Sequence, residues 1–336
     1  MNFPIFRLLV FVSIIVAAGS TVADPLFEKR DLLTISIAAD FKTMFDEKDK
    51  SKQYPGRLVQ GDSNPIDILL EVRGNSRLRN CKVPGLRIIF PKKPKDGLFA
   101  KQKKLKLVNQ CWRKGGRYQD YLLQEYAIYR AYEVLTDNSF RTRLAGTTYI
   151  DTGPNDYSWM AYAFFIEDKS RMAKRLGLKR VRDNRISQQN LAKAESNLAV
   201  MYQFLIGNAD FSHITGEADE PCCHNAKLLN KDGKYIPVPY DFDLAGIINT
   251  IYAIPPPNLG IKKVIQRLYR GHCDNNDVVP STLAHIQANR DQLYETFLNE
   301  RIRERTRKNM SKYLDKFFRL VADEKHLQKK IYGKCR

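Results

Sequence analysis

Residues 204–246, FLIGNADFSHITGEADEPCCHNAKLLNKDGKYIPVPYDFDLAG, constrain this chain more than any other stretch. An apolar helix end, Phe204-Leu205-Ile206, runs into the breaker Gly207, and Asp210 follows. Asn225 opens a short strand that reaches Leu229, and Lys231-Asp232-Gly233-Lys234 turns it. Tyr235 to Val238 returns and delivers Tyr240-Asp241-Phe242-Asp243. Asp210, Asn225 and Asp241 therefore sit at the ends of rigid elements. Oxygen donors of this kind suit Mg²⁺, which takes few protein carboxylates and leaves other positions to water and phosphate. Asp and Asn also occur at strand ends merely as turn formers. That explanation suffices for Asp232. It fits Asp241 and Asp243 poorly, because they flank an aromatic directly after an apolar strand, where a carboxylate without a partner is costly.

Upstream, residues 66–73 read as a strand ending in the turn Arg73-Gly74-Asn75-Ser76, whose glycine permits close backbone approach to a ligand. Leu86 to Phe90 reads as a second strand and Lys104 to Asn109 as a third, with Lys104 and Lys106 on one face. A basic alternating strand is ordinarily half exposed, so Lys106 also has a plain solvent reading. Residues 118–135 read as a helix with Leu122, Tyr126 and Tyr129 as an apolar stripe. Glu125 falls within that stripe and needs a cation or donors there, or else sits at its rim beside a local Arg or Tyr. Lys106 is one candidate partner. Strands return at 141–150 and 159–167, a basic polar connector fills 168–186, and a helix runs from about Ser187 to Ile206. Residues 280–330 are helical and amphipathic, the segment after Gly246 is irregular, and residues 24–60 are too mixed to assign.

Arg7 precedes the apolar run Leu8 to Ala18, and Thr21-Val22-Ala23 closes it, which reads as a secretory signal over residues 1–23. An uncleaved anchor is the competing reading, and no membrane span is expected after signal cleavage. Six cysteines in an exported chain point to disulfides. Cys81 pairs with Cys111 on this reading, Cys222 or Cys223 with Cys273, and Cys335 takes the remaining one. A zinc site from Cys222, Cys223, His224, His272 and Cys273 is the rival, although adjacent cysteines are not a usual zinc spacing. The formal charge of +19 predicts anionic ligands, whether nucleotide, polyphosphate, anionic lipid or nucleic acid, and no specific nucleic acid is expected among them. Its basic residues crowd into 92–106, 169–185 and 300–330, where most individual lysines are simply solvated.

The order of these elements and four motifs resemble the secretory bacterial kinase-like family of the spore-coat protein CotH. The motifs are Arg73-Gly74-Asn75-Ser76, Leu98-Phe99-Ala100, Asp210 with Asn225, and Pro239-Tyr240-Asp241-Phe242-Asp243. The chain looks closer still to exported bacterial proteins carrying V-P-Y-D-F-D. The resemblance covers roughly residues 66–246. It implies an α+β, two-lobed protein-kinase-like fold: an N-lobe over 24–167, with an antiparallel sheet plus a helix, and a mainly helical C-lobe over 168–336. It implies ATP and Mg²⁺ as cofactors and a protein or glycan hydroxyl as acceptor. Asp210 would accept the hydroxyl proton, and Asn225 and Asp241 would hold Mg²⁺, with Asp243 a candidate for a second ion. Lys106, held by Glu125, would contact the phosphates, which Arg73, Asn75 and Ser76 would cover. Lys82, Arg87 and Lys104 are rivals for the lysine's role. The chain departs from ordinary kinases in the long separation of Asp210 from Asn225, the absence of a G-x-G-x-x-G, and Asp243 in place of a glycine. The alternative is an inactive pseudokinase-like exported scaffold that holds anionic partners on its basic surface. A third is transfer of AMP in place of phosphate.

Overall fold

The computed structural model describes residues 24–113, 115–154, 157–181, 183, 185–216 and 222–336. The leader expected over residues 1–23 lies outside them. Seven strands, β1 (Leu33–Ala39), β2 (Tyr54–Gln60), β3 (Ile66–Arg73), β4 (Gly85–Ile89), β5 (Lys104–Asn109), β6 (Thr142–Asp151) and β7 (Ser158–Ile166), form a closed barrel in the order β1-β2-β3-β4-β5-β7-β6. Neighbours are antiparallel except β1 and β6, which run parallel from Leu33↔Ala145 to Ala39↔Asp151.

This closed, mixed barrel corrects the expected two-lobed kinase-like fold with an N-lobe antiparallel sheet plus a helix and a mainly helical C-lobe. The difference lies in residues 24–60, which sequence patterning left unassigned. Leu33, Ile35, Ile37 and Ala39 alternate inward along β1, and that strand pairs with β2 on one side and β6 on the other. A sheet closed in this way has no free edge. Pro55 and Gly56 disguise β2, since both are poor strand residues. Gly56 is required there: a Cβ would lie 2.8 Å from the Ala38 carbonyl oxygen. Phe99, from the Leu98-Phe99-Ala100 segment, fills the barrel interior, 5.8 Å from Phe90 and 5.9 Å from Phe165 between ring centroids.

Around the barrel lie α1 (Pro25–Glu28), α2 (Phe41–Glu47) and α3 (Ser76–Asn80), which follows directly from β3. The long α4 (Gly116–Leu135) packs one side on β6 and β7 and another on helices. It is buried over most of its circumference because it lies between two layers, and its buried residues include Asp120, Gln124 and Glu125. The second layer comprises α5 (Lys169–Arg175), α6 (Lys193–Ile206), α7 (Val279–Ala288), α8 (Arg290–Phe297), α9 (Glu304–Ala322) and α10 (Glu324–Lys330). A small sheet of β8 (Lys179–Arg180), β9 (Ala226–Lys231) and β10 (Lys234–Pro239), in the order β10-β9-β8, packs on α6. The two layers keep separate cores, one inside the barrel and one running from α4 through α6 to α9.

The helix expected from Ser187 begins at Lys193, because Leu191 pairs with Tyr235 and the Ala192 N–H donates to the Tyr235 carbonyl. Three disulfides form: Cys81–Cys111, as expected, with Cys222–Cys223 and Cys273–Cys335. The last two correct the expected pairing of Cys222 or Cys223 with Cys273. Cys335 reaches Cys273 because the chain end folds back, with the Arg336 N–H donating to the Gly271 carbonyl. With those cysteines bonded to one another, the rival zinc site has no thiolates. No helix among the described residues is long and apolar enough to cross a membrane.

Candidate functional site

Gly207 ends α6 in the left-handed region at φ 69°, and its C-cap turn releases the chain toward Asp210. The Asp210 N–H donates to Asn208 Oδ1 at 3.0 Å. Arg270 donates to the carbonyls on either side, those of Ala209 and Phe211, and lies over the Phe211 ring. Asn225, just ahead of β9, closes the gap in sequence. Its Nδ2 donates to the Asp210 carbonyl at 2.7 Å and to Asp210 Oδ2 at 3.1 Å. His224 Nε2 lies 2.8 Å from Asp210 Oδ1. Both oxygens of that carboxylate are therefore oriented by neighbours.

β10 leads into Asp241, whose N–H donates to the Tyr129 hydroxyl of α4 at 2.8 Å. Phe242 is buried, its ring 4.7 Å from Tyr129 and 6.3 Å from Tyr202. This aromatic anchor fixes the two acids that flank it. Asn225 and Asp241 both adopt positive φ, 49° and 65°. Asp and Asn tolerate that region better than other non-glycine residues, yet it remains unfavourable and gathers at functional sites.

The barrel supplies the facing wall. β3 ends at Arg73, Gly74 turns at φ 93°, and α3 carries Ser76 and Arg77. Lys106 projects from β5 and Arg87 from β4, the latter paired with Glu71 at 2.8 Å. Between the walls is a cleft of about 720 Å³ lined by Arg73, Asn75, Ser76, Lys106, Asp210, Asn225, Asp241 and Asp243 together. Glu125 lines a smaller adjoining recess of about 50 Å³, which shares Arg73, Asp241 and Asp243. Residues numbered from 73 to 243 thus meet in one place. Of the three rivals to Lys106, Arg87 also lines this cleft, whereas Lys82 and Lys104 do not.

One expected contact is different. Glu125 pairs with Arg77, Nη2 to Oε2 at 2.5 Å, and not with Lys106. Arg77 also donates from Nε to Asp243 Oδ2 at 3.2 Å and from Nη1 to the Asn109 carbonyl at 2.7 Å. Lys106 Nζ lies 5.0 Å from the Tyr240 ring centroid, with Lys227 Nζ 4.9 Å from the same ring. β5 turns Lys106 toward β10 and the cleft, so the arginine one helical turn past Gly74 takes the inner acid.

The electrostatics follow from this crowding. Burial pulls Lys106 down to about 7, with Arg73 and Lys227 pushing the same way. Burial likewise lowers Arg73, against the pull of Asp241. Burial raises Asp243, Arg77 opposes it, and Asp241 and Asp210 add to the rise. Glu125 is raised by burial against Arg77, with Asp243 and Asp241 reinforcing the rise, while Arg77 itself stays well above its usual value through Glu125. Both shifts are upward, so burial disfavours the charged form of Glu125 while Glu125 keeps Arg77 charged against its own burial. The upward direction for the acids follows from the geometry, since two buried carboxylates share one guanidinium and a third stands close by.

Among the described residues, no three His, Cys, Asp or Glu side chains gather as a metal cage. Asp241, Asp243 and the amide oxygen of Asn225 form a sparser set. Such a set fits a hard ion that also takes oxygens from phosphate and water. The acids' mutual repulsion favours an added cation at that spot.

Sequence reading misses Arg77 and His224. Arg77 stands one residue beyond the turn motif on a helix of a single turn, too short for periodicity to register. His224 was counted only as a possible zinc ligand. No protein-family model matches the chain, and no curated protein matches it.

Proposed function

We propose that the chain is an exported phosphotransferase that moves the γ-phosphoryl group of ATP to a hydroxyl on a protein or glycan, with Mg²⁺. One observation carries this reading. A basic wall and an acidic wall face each other across a cleft of nucleotide size, with Asp210, Asn225, Asp241 and Asp243 on the acidic side. Phosphoryl transfer asks for little besides this, since its catalysis is mostly positioning and charge stabilisation. Three disulfides among the described residues are in keeping with an oxidising compartment outside the cytoplasm.

In this reading Arg73, Lys106 and the backbone of the Gly74-Asn75-Ser76 turn hold the phosphates. Asn225 and Asp241 hold Mg²⁺, with Asp243 beside them. The ion, when bound, neutralises charge on the phosphate oxygens. Asp210, oriented by His224 and Asn225, takes the proton of the attacking hydroxyl as its oxygen bonds to the γ-phosphorus, and the bond to the β–γ bridging oxygen breaks to release ADP. Arg77 and Glu125 keep Asp243 in place from behind.

The test is transfer of label from γ-labelled ATP to protein and glycan hydroxyls by the wild type, Asp210→Asn and Asp241→Asn. Loss of at least about 100-fold in both variants is expected, with melting temperatures close to wild type. Undiminished labelling in both variants overturns the reading. Labelling from α-labelled ATP would assign AMP transfer to the same residues.

A further inference from the structure

The cleft leaves one strongly charged feature unused. α9 (Glu304–Ala322) buries Met310, Leu314, Phe317 and Phe318 along one side. Arg305, Lys308, Lys312, Lys316 and Arg319 are all exposed. Their spacings of three, four, four and three place them within an arc of about 80° on the opposite side, at 3.6 residues per turn. The row is straight and about 21 Å long at 1.5 Å per residue. Among the described residues, Lys308 alone of the five is in a salt bridge, with Glu304 at 2.6 Å, and both side chains are 70% exposed, so that pair neutralises little. The one acid in the middle turns, Asp315, accepts from the Tyr294 hydroxyl at 2.6 Å, on the side facing α8.

Like charges one turn apart destabilise a helix. α9 bears them because its other side is anchored in the core. A merely solvated face would tolerate interspersed acids, and this one has none between Arg305 and Arg319 apart from Asp315. An extended polymer with negative charges spaced about one helical turn apart would match the row along its length. A lipid surface is less suited, because the row carries no exposed apolar side chain to insert beside the charges. The disulfides are in keeping with an oxidising compartment outside the cytoplasm, and an acidic polysaccharide is an extended polyanion whose charges can follow such a row.

We infer that the exposed face of α9 is a docking surface for an acidic polysaccharide chain, engaged by Arg305, Lys308, Lys312, Lys316 and Arg319. The surface works independently of the cleft's chemistry.

Binding to immobilised heparin and to polygalacturonate is measured at several salt concentrations for three proteins. They are the wild type, Lys312→Glu/Lys316→Glu/Arg319→Glu, and an equal charge change on an exposed barrel loop, Lys92→Glu/Lys93→Glu/Lys95→Glu. Thermal melting of each confirms that it is folded. The expected result is salt-sensitive binding by the wild type, a loss of at least tenfold with a shallower salt dependence in the α9 variant, and a much smaller change in the loop variant. Equal losses in both variants would show that net charge alone acts and would overturn the proposal. Failure of the wild type to bind either glycan would also overturn it, as would anionic vesicles or duplex DNA binding through the same residues without competition by the glycans.

Discussion

Replacing Arg77 by leucine tests the electrostatic design of the site directly. The guanidinium serves Glu125 at 2.5 Å, Asp243 at 3.2 Å and the Asn109 carbonyl at 2.7 Å. The Arg77 side chain is 13% exposed, Glu125 2% and Asp243 9%, so solvent offers little substitute. Breaking a buried pair by removing one partner costs about 3–5 kcal/mol. Here two acids lose their counter-ion together, which places the loss near the top of that range, about 4–5 kcal/mol. The loss depends on pH. Burial already raises both carboxyls, and without Arg77 they rise further. A group whose folded-state pKa is raised stabilises fully below its unfolded value of about 4 and loses that contribution as pH climbs through the folded value. The deficit of Arg77→Leu should therefore be large at pH 8 and smaller by at least about 1 kcal/mol at pH 5.5. Urea unfolding followed by the fluorescence of Trp112 and Trp159 reads both values. Adding Glu125→Gln to Arg77→Leu should recover part of the stability, with a coupling of about 0.5–3 kcal/mol. A loss below about 1 kcal/mol, or a deficit that is the same at both pH values, would refute the role assigned to Arg77.

Three other expectations follow from single contacts. The folded state releases the Lys106 proton near about 7 while the unfolded chain holds it far higher. The unfolded state thus binds more protons in between, and stability should rise from pH 7 toward about 10 in the wild type but less steeply in Lys106→Met; phosphate contact would restore the charge, so nucleotide titration at pH 8 in two buffers should show proton uptake. Gly207→Ala should lower stability by at least about 1 kcal/mol, because a residue with a Cβ is strained at φ 69° and that Cβ would sit 1.9 Å from the Tyr313 hydroxyl oxygen; Tyr313→Phe should relieve part of the loss in a melting assay. Cys273→Ser/Cys335→Ser opens a closure spanning 62 residues and should lose about 4 kcal/mol of unfolding free energy on the chain-entropy estimate.

The residues that line the cleft were more legible in the sequence than the fold around them. β5 and the hairpin of β9 and β10 announce themselves by alternation and a Lys-Asp-Gly-Lys turn; β5 carries Lys106, and Asn225 and Asp241 flank the hairpin. The inward turn of Glu125 was visible because it interrupts an apolar stripe. Its partner was not, since an ion pair across 48 residues leaves no local trace and several bases competed for it. The barrel was missed at β1, whose alternation is clear once sought, and at β2, where Pro55 and Gly56 look like a turn. Closure is a property of how the first strand meets the sixth. No window of sequence contains both, so the same set of strands reads as an antiparallel sheet. Adjacent Cys222 and Cys223 were each assigned distant partners because pairing rules presume separation, whereas the nearest thiol was the next residue.

The long interval between Asp210 and Asn225 shows why separation in sequence is a poor guide to a site. The intervening loop is stitched at its base: the Ser212 N–H donates to the His224 carbonyl, and the His224 N–H to the Thr215 carbonyl, both at 3.0 Å. These bonds bring residue 212 beside residue 224 whatever lies between. Below the stitch, Arg270 and Asn208 hold the Asp210 side, while β9 holds the Asn225 side. The relation of the acid to the amide is thus set by contacts outside the loop, so insertion there adds chain without moving either group. Loop entropy rises only slowly with length, by about 0.6 kcal/mol per doubling, so the added residues are thermodynamically cheap. An extended interval between the two residues therefore does not separate them in space. The direct bonds from Asn225 to Asp210, at 2.7 and 3.1 Å, hold the pair together across that interval.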